Sequence, residues 1–227
     1  TTAQASIGMK NRIINGNMTI DQRNAGASVT SNGATYTLDR WQAYSDVGSK
    51  YSVQQVSDAP TGFKNSLKAT SLSAYTVGTN EVYGLFQYIE GYNVSDLGFG
   101  ASGASTVTVS FWVKSSLTGT FGGSLLNSGF TRAYPFNYTI SVANTWEQKT
   151  ITVVGDTTGT WLTTNGVGLG LVLGLGCGSG RSATAGAWTA TSLVFSSIGA
   201  TSVVGTSGAT LYITGVQLET GTTATPF

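Results

Sequence analysis

The sequence predicts an all-β protein, an antiparallel β-sandwich or jelly roll of about ten to eleven short strands. Three observations carry this. Apolar residues alternate with polar residues or glycines over short stretches, the signature of half-buried strands. Turns rich in Gly, Ser, Thr and Asn separate those stretches at sandwich spacing. Only 9% of residues are charged, against about 25% in an average globular chain, so exposed helices would lack the Glu, Lys and Arg they rely on.

The elements follow in order. Residues 1–10 (TTAQASIGMK) read as a linker or the end of a preceding segment, and 11–227 as one jelly-roll domain. The chain does not begin with Met, so it reads as processed or as part of a longer protein. In NRIINGNMTIDQRN (11–24), Ile13, Ile14, Met18 and Ile20 are apolar anchors around an Asn15-Gly16 turn. GATYTLDRWQAY (33–44) reads as the first strand, followed by strands near 51–57, 64–72 and 82–90. STVTVSFWVKSS (105–116) alternates most clearly: Val107, Val109, Phe111 and Val113 face one way, and Thr108, Ser110, Trp112 and Lys114 the other. Strands follow near 119–126, 134–142, 146–154, 166–176 and 191–198. In ATLYITGVQLE (209–219), Leu211 and Ile213 share one parity and Val216 and Leu218 the other. A bulge at Gly215 returns all four to one face.

VGLGLVLGLGCGSG (167–180) has Val167, Leu169, Leu171, Leu173 and Leu175 on one parity and Gly168, Gly170, Gly174 and Gly176 on the other. The Val/Leu face belongs to a core. The glycine face needs a cover, because glycine weakens a strand that has nothing packed on it. An aromatic ring of the same chain supplies one answer, with Trp161 and Trp188 as candidates; a neighbouring subunit supplies another.

Composition narrows the function. The net charge is +1 and no run of Lys or Arg occurs, which argues against a nucleic-acid partner. No apolar run reaches the roughly 18 residues of a membrane helix, so no membrane insertion is expected. One cysteine excludes an internal disulfide, and Cys177 reads as a small buried hydrophobe. With no histidine, the commonest general base and metal ligand is missing. Glycosidases need only two carboxylates, but none of the Asp and Glu residues stands in a pair-marking spacing. No catalytic residue, metal or cofactor is expected. Asp156, in GDTTG (155–159), reads as part of a hairpin turn in preference to a calcium site.

The aromatics carry more information: 5 Trp, 10 Tyr and 9 Phe. Tyr and Trp offer ring faces and polar tips, the chemistry of stacking on sugars. Trp41 and Trp146 read as core. Trp112 stands on a polar face and calls for a loop, a neighbouring subunit or a ligand to cover it. Tyr75, Tyr83, Tyr92, Tyr134, Trp161 and Trp188 fall in or beside expected loops, where binding concentrates. With Trp112 they are the candidate ligand-binding residues.

Several stretches, NRIINGNMTIDQRN, YTLDRWQ, VSFWVKSS, NTWEQKTITVVGDTTGTW and the closing LYITGVQLETGTTATPF, carry a resemblance. Over residues 11–227 the chain resembles the C-terminal domains of tail-fibre and other virion surface proteins of tailed phages. The resemblance implies a jelly roll similar to carbohydrate-binding modules, a place on the virion surface beside other virion proteins, and homotrimers. It supplies no site residues. The expected function is a non-enzymatic tail-fibre-tip domain that binds bacterial surface polysaccharide. The alternatives are a structural decoration, head-fibre or trimerisation module, a secreted bacterial carbohydrate-binding module, and a glycan depolymerase.

Overall fold

Two six-stranded antiparallel sheets stack face to face in the computed structural model, which describes residues 9–227. Residues 1–8 of the expected linker lie outside the described residues. The strands are β1 (Val29–Thr30), β2 (Gly33–Tyr36), β3 (Gln42–Ser45), β4 (Tyr51–Val56), β5 (Ser66–Ser71), β6 (Val82–Glu90) and β7 (Val107–Ser115). They continue with β8 (Gly119–Leu126), β9 (Ala133–Ile140), β10 (Glu147–Val153), β11 (Val167–Cys177), β12 (Ser182–Ala183), β13 (Ser196–Ser197) and β14 (Thr210–Thr220). One sheet has the order β1-β4-β5-β14-β7-β10 and the other β2-β3-β6-β11-β8-β9; β12 and β13 form a short parallel pair. The expected jelly-roll sandwich is therefore the observed fold.

Alternation becomes burial on the inner faces. Val107, Val109, Phe111 and Val113 from β7 meet Leu169, Leu171, Leu173 and Leu175 from β11 in one core cluster. The bulge at Gly215 is present: the β14–β7 register shifts between Thr214 and Gln217, Gly215 takes φ +60°, and Leu211, Ile213, Val216 and Leu218 are all buried. Trp41 lies in the core, with its Nε1–H donated to the Asn15 carbonyl at 3.1 Å. Tyr51 reaches from one sheet to the other. Its hydroxyl lies 2.9 Å from the Tyr44 carbonyl and 2.8 Å from the Gly84 carbonyl, bolting β4 to β3 and β6.

Four local expectations are corrected. The stretch 33–44 splits into β2 and β3, because the chain turns at Leu38–Arg40 and Arg40 adopts φ +71°. The stretch 191–198 contributes only β13. In the N-terminal segment, Ile13 and Met18 are buried but Ile14 and Ile20 are exposed; Gln87 holds the Ile14 backbone by both its N–H and its carbonyl instead. Trp146 is not core. It stands on the outer face of the first sheet, edge-on to Tyr212, with Lys114 held between their rings and paired with Asp58.

Candidate functional site

On the outer face of the β2-β3-β6-β11-β8-β9 sheet, strand register sets aromatic rings beside glycines. Tyr44 of β3 is aligned with Gly84 of β6, which is aligned with Gly174 of β11. Two rows on along the same face, past Phe86 and Val172, Tyr88 is aligned with Gly170. Side chains alternate along each strand, so Tyr83, Leu85 and Ile89 of β6 point into the core while Phe86 and Tyr88 point outward. Tyr44 and Phe86 meet edge-on with centroids 5.9 Å apart, and Phe86 lies 6.1 Å from Tyr88. Phe195 and Phe130, from the segments crossing this face, continue the series, with Phe86–Phe195 at 5.9 Å and Phe130–Phe195 at 5.7 Å. A second, smaller hydrophobic cluster thus sits outside the sheet.

Two adjoining clefts open over this surface and share Tyr88. The larger, about 560 Å³, is lined by Arg23, Tyr36, Asp39, Arg40, Glu90 and Asn165 among others. The smaller, about 300 Å³, is lined by Tyr44, Asp46, Phe86, Phe130, Arg181 and Phe195 among others. Together they make a groove with aromatic walls. A Cβ on Gly170 would stand 3.3 Å from Tyr88 Cδ1, so the ring lies where glycine leaves room.

The polar groups of the groove are organised. Arg40 makes a bidentate pair with Glu90, at 2.7 and 2.9 Å, and donates to the Tyr88 carbonyl at 2.9 Å. Its left-handed backbone is a strained conformation for a non-glycine residue, and it aims the guanidinium across the rim. The hydrogen bond from Arg40 holds the Glu90 carboxyl below the ordinary Glu range. Burial pushes the Tyr88 hydroxyl up to about 12, so at neutral pH it keeps its proton as a potential donor. Asp46 accepts from the Tyr44 hydroxyl at 2.9 Å and from the Val82 N–H at 2.6 Å. The groove therefore offers ring faces, neutral phenols and guanidinium donors. Its carboxylates serve as acceptors within the protein. Among the described residues, no three His, Cys, Asp or Glu side chains converge where a metal could sit.

None of the seven residues singled out from the sequence lines these clefts. Tyr83 is fully buried in the core, and Tyr134 is buried in β9 with its hydroxyl on the Gly186 carbonyl. Both lie in strands, not loops, and Tyr83 has no ring face left for a sugar. Tyr75 packs edge-on against Tyr83; both hydroxyls bond Glu81, and Lys50 sits over the Tyr75 ring. Trp161, Trp188, Phe99 and Tyr134 converge at one end of the sandwich, but on one another, with Trp161–Trp188 centroids 5.4 Å apart. Their indole N–H groups bond the Thr158 and Val154 carbonyls. Tyr92 is exposed on the turn after β6, and Trp112 lies on the opposite sheet beside Phe63 and Phe227.

The cover of the glycine face comes from the same chain, but not from Trp161 or Trp188. Tyr88 lies against Gly170, Val94 and the Leu162 backbone against Gly168, Ser196 against Gly174, and Val204 against Gly176. Trp161 covers Gly100 instead. Asp156 is neither in a hairpin turn nor free for calcium: it is buried and paired with Arg132 through two hydrogen bonds of 2.7 Å. A signal for the groove was present in VYGLFQYIE, whose even positions Gly84, Phe86 and Tyr88 form one face beside the even-position glycines of β11.

No protein-family model and no curated protein matches the chain. Among solved structures it is similar to a putative sugar binding protein from Bacteroides thetaiotaomicron, at 11% identity and TM-score 0.55, covering 93% of this chain and 100% of that one. It also aligns with a family 11 carbohydrate-binding module from Clostridium thermocellum (11% identity, TM-score 0.43, 85% of this chain and 95% of that). A third alignment is with the enzymatically active domain of bacteriophage CBA120 tailspike protein 4 (13% identity, TM-score 0.45), and there the chain spans 92% of itself but only 21% of that protein. The first likeness bears on the fold alone, which is the jelly-roll sandwich described above.

Proposed function

We propose that this chain is a non-enzymatic glycan-binding domain whose ligand lies in the groove over Tyr88. The observation that carries the reading is the shared position of that ring: half-buried, packed by one edge against Gly170, and common to both clefts. A sugar ring stacking there meets Tyr36 and Tyr44 to either side, with phenol and guanidinium donors within the same groove. Convergent polar groups on an aromatic surface are the composition expected of a ligand site. That the fold is shared with a protein described as a putative sugar binding protein agrees with this. Binding is preferred to catalysis because the chain has no histidine, and because Glu90 and Asp46 are held by internal donors.

The reading extends to place. The sequence resemblance to tail-fibre domains supports a position on a virion surface, as a trimer among other virion proteins, with bacterial surface polysaccharide as the ligand. A secreted bacterial module is the competing setting, and the shared fold fits it equally. Mass spectrometry of purified virions and light scattering of the isolated chain separate the two settings.

Glycan-array binding of wild type and Tyr88→Ala tests the site. Binding that is lost in the variant, with the melting transition retained, supports the groove. Binding that survives Tyr88→Ala unchanged moves the site elsewhere.

A further inference from the structure

The groove's donors and acceptors are unequal. Six charged side chains line it: Arg23, Arg40 and Arg181, and Asp39, Asp46 and Glu90. Glu90 is closed by Arg40 on both oxygens and by Asn93 Nδ2 at 3.3 Å. Asp46 takes a donor on each oxygen, and Asp39 takes the Gln22 N–H on Oδ2 at 2.7 Å, leaving one oxygen open against the free donors of two arginines. The cations differ. Arg23 forms no ion pair or hydrogen bond among the described residues, and its guanidinium rests over the Tyr36 ring, 5.6 Å from the centroid. Arg181 uses only Nε, on the Asn80 carbonyl at 2.9 Å, leaving both terminal nitrogens without a protein acceptor.

These two guanidiniums are also placed. The turn bearing Arg23 is braced by the Asp21 carboxylate, which accepts the Asn24 and Gly26 N–H groups, and by Asn24 Nδ2 on the Thr37 carbonyl. Arg181 is on the turn after β11, where its own N–H bonds the Gly178 carbonyl and its carbonyl accepts the Phe195 N–H. One guanidinium stands in each cleft, and Tyr88 is common to both.

We propose that the groove selects an acidic polysaccharide, in which a sugar ring stacks on Tyr88 and carboxylates of the chain pair with Arg23 and Arg181. This rests on the glycan-binding reading above. A planar guanidinium with two free N–H donors matches a carboxylate in bidentate geometry. A neutral glycan would leave those donors to water, and a cationic one would meet two unpaired arginines. Net charge plays no part: the chain as a whole is close to neutral, so the selection is local.

The test is affinity electrophoresis in polygalacturonate, in its carboxyl-reduced form, and in neutral mixed-linkage glucan, at low and high salt. Polygalacturonate is expected to retard the protein. Carboxyl reduction is expected to weaken retardation about tenfold, as is the change from low to high salt. Arg23→Ala and Arg181→Ala should each weaken it about five- to tenfold with an unchanged melting temperature. Lys64→Ala, at an exposed lysine outside the groove, should leave it unchanged. Equal retardation by native and reduced polymer, lost only in Tyr88→Ala, overturns the acidic selection and keeps the groove. A loss in Lys64→Ala equal to that in the arginine variants also overturns it, because the attraction is then diffuse. If no polymer retards the protein, or Tyr88→Ala changes nothing in any of them, the groove reading fails and this inference with it.

Discussion

Tyr88 packs against Gly170 across the β6–β11 pair, its Cδ1–Cε1 edge 3.3–3.4 Å from where a Cβ at that position would stand. Gly170, on the glycine face of β11, is thus the seat of an aromatic ring, which packs on the bare position of the strand. Gly170→Val should push Tyr88 off its seat. The overpacking is expected to cost about 1–3 kcal/mol, read as a lower melting temperature, and glycan affinity should fall further than in a stability-matched core variant. Gly170→Ala should do the same more mildly, since its Cβ meets ring atoms at 3.3–3.4 Å and not backbone.

Tyr51 joins the two sheets beneath the groove. Its hydroxyl sits between the Tyr44 and Gly84 carbonyls, the row on which the groove's second cleft stands. Tyr51→Phe leaves buried carbonyls short of a donor and is expected to destabilise by about 1–3 kcal/mol. Denaturant titration reads the loss as a lower midpoint at unchanged slope.

The Phe99–Trp161–Trp188 cluster packs the end of the sandwich. Trp188→Ala is expected to lower stability by about 3–5 kcal/mol, as large-to-small aromatic changes do when the ring is well packed. Because the ring is half-exposed, the loss should fall at the lower end. Glycan affinity of the folded fraction should be unchanged. Reduced affinity at unchanged stability would return Trp188 to the list of ligand contacts.

Arg132 and Asp156 form a largely buried bidentate pair, with side-chain exposures of 14% and 2%. Removing one partner strands the other: Asp156→Ala is expected to cost about 3–5 kcal/mol, and the double change to apolar residues much less. Burial raises the Asp156 carboxyl and the Arg132 hydrogen bonds lower it; the lowering dominates, so it lies below 3.8 in the folded protein. A depressed carboxyl stabilises the fold above its unfolded value and loses that contribution as pH falls through the folded one. Chemical denaturation from pH 7 downward should therefore show this contribution flat to about pH 5 and declining below pH 4, a decline that Asp156→Ala lacks.

Much of the architecture was legible in the chain. The parity of Val107–Val113 marked one inner face, and the parity change around Gly215 marked the bulge, because side-chain direction along a strand is a local property. Turn residues likewise separated most strands. Leu38–Arg40 hid a turn inside an apparent single strand, because neither glycine nor proline announces it and Arg40 takes the left-handed conformation under tertiary restraint. Aromatics in and near loops were legible as a class, but not by role. Tyr83 and Tyr88 share a strand and differ by parity, so one is core and the other groove.

The sequence by itself determined that this protein is an all-β sandwich with little charge, no histidine chemistry, and one strand whose glycine face needed a cover. Only the tertiary structure decided what the cover is and which aromatics remain available. Those outcomes depend on register between strands distant in the chain, which sets Tyr88 beside Gly170 and Tyr44 beside Gly84, and on how the connecting segments fold back, which sets Trp188 against Trp161. Alternation reports which way a side chain points. What it meets there is settled by the packing of the whole sandwich.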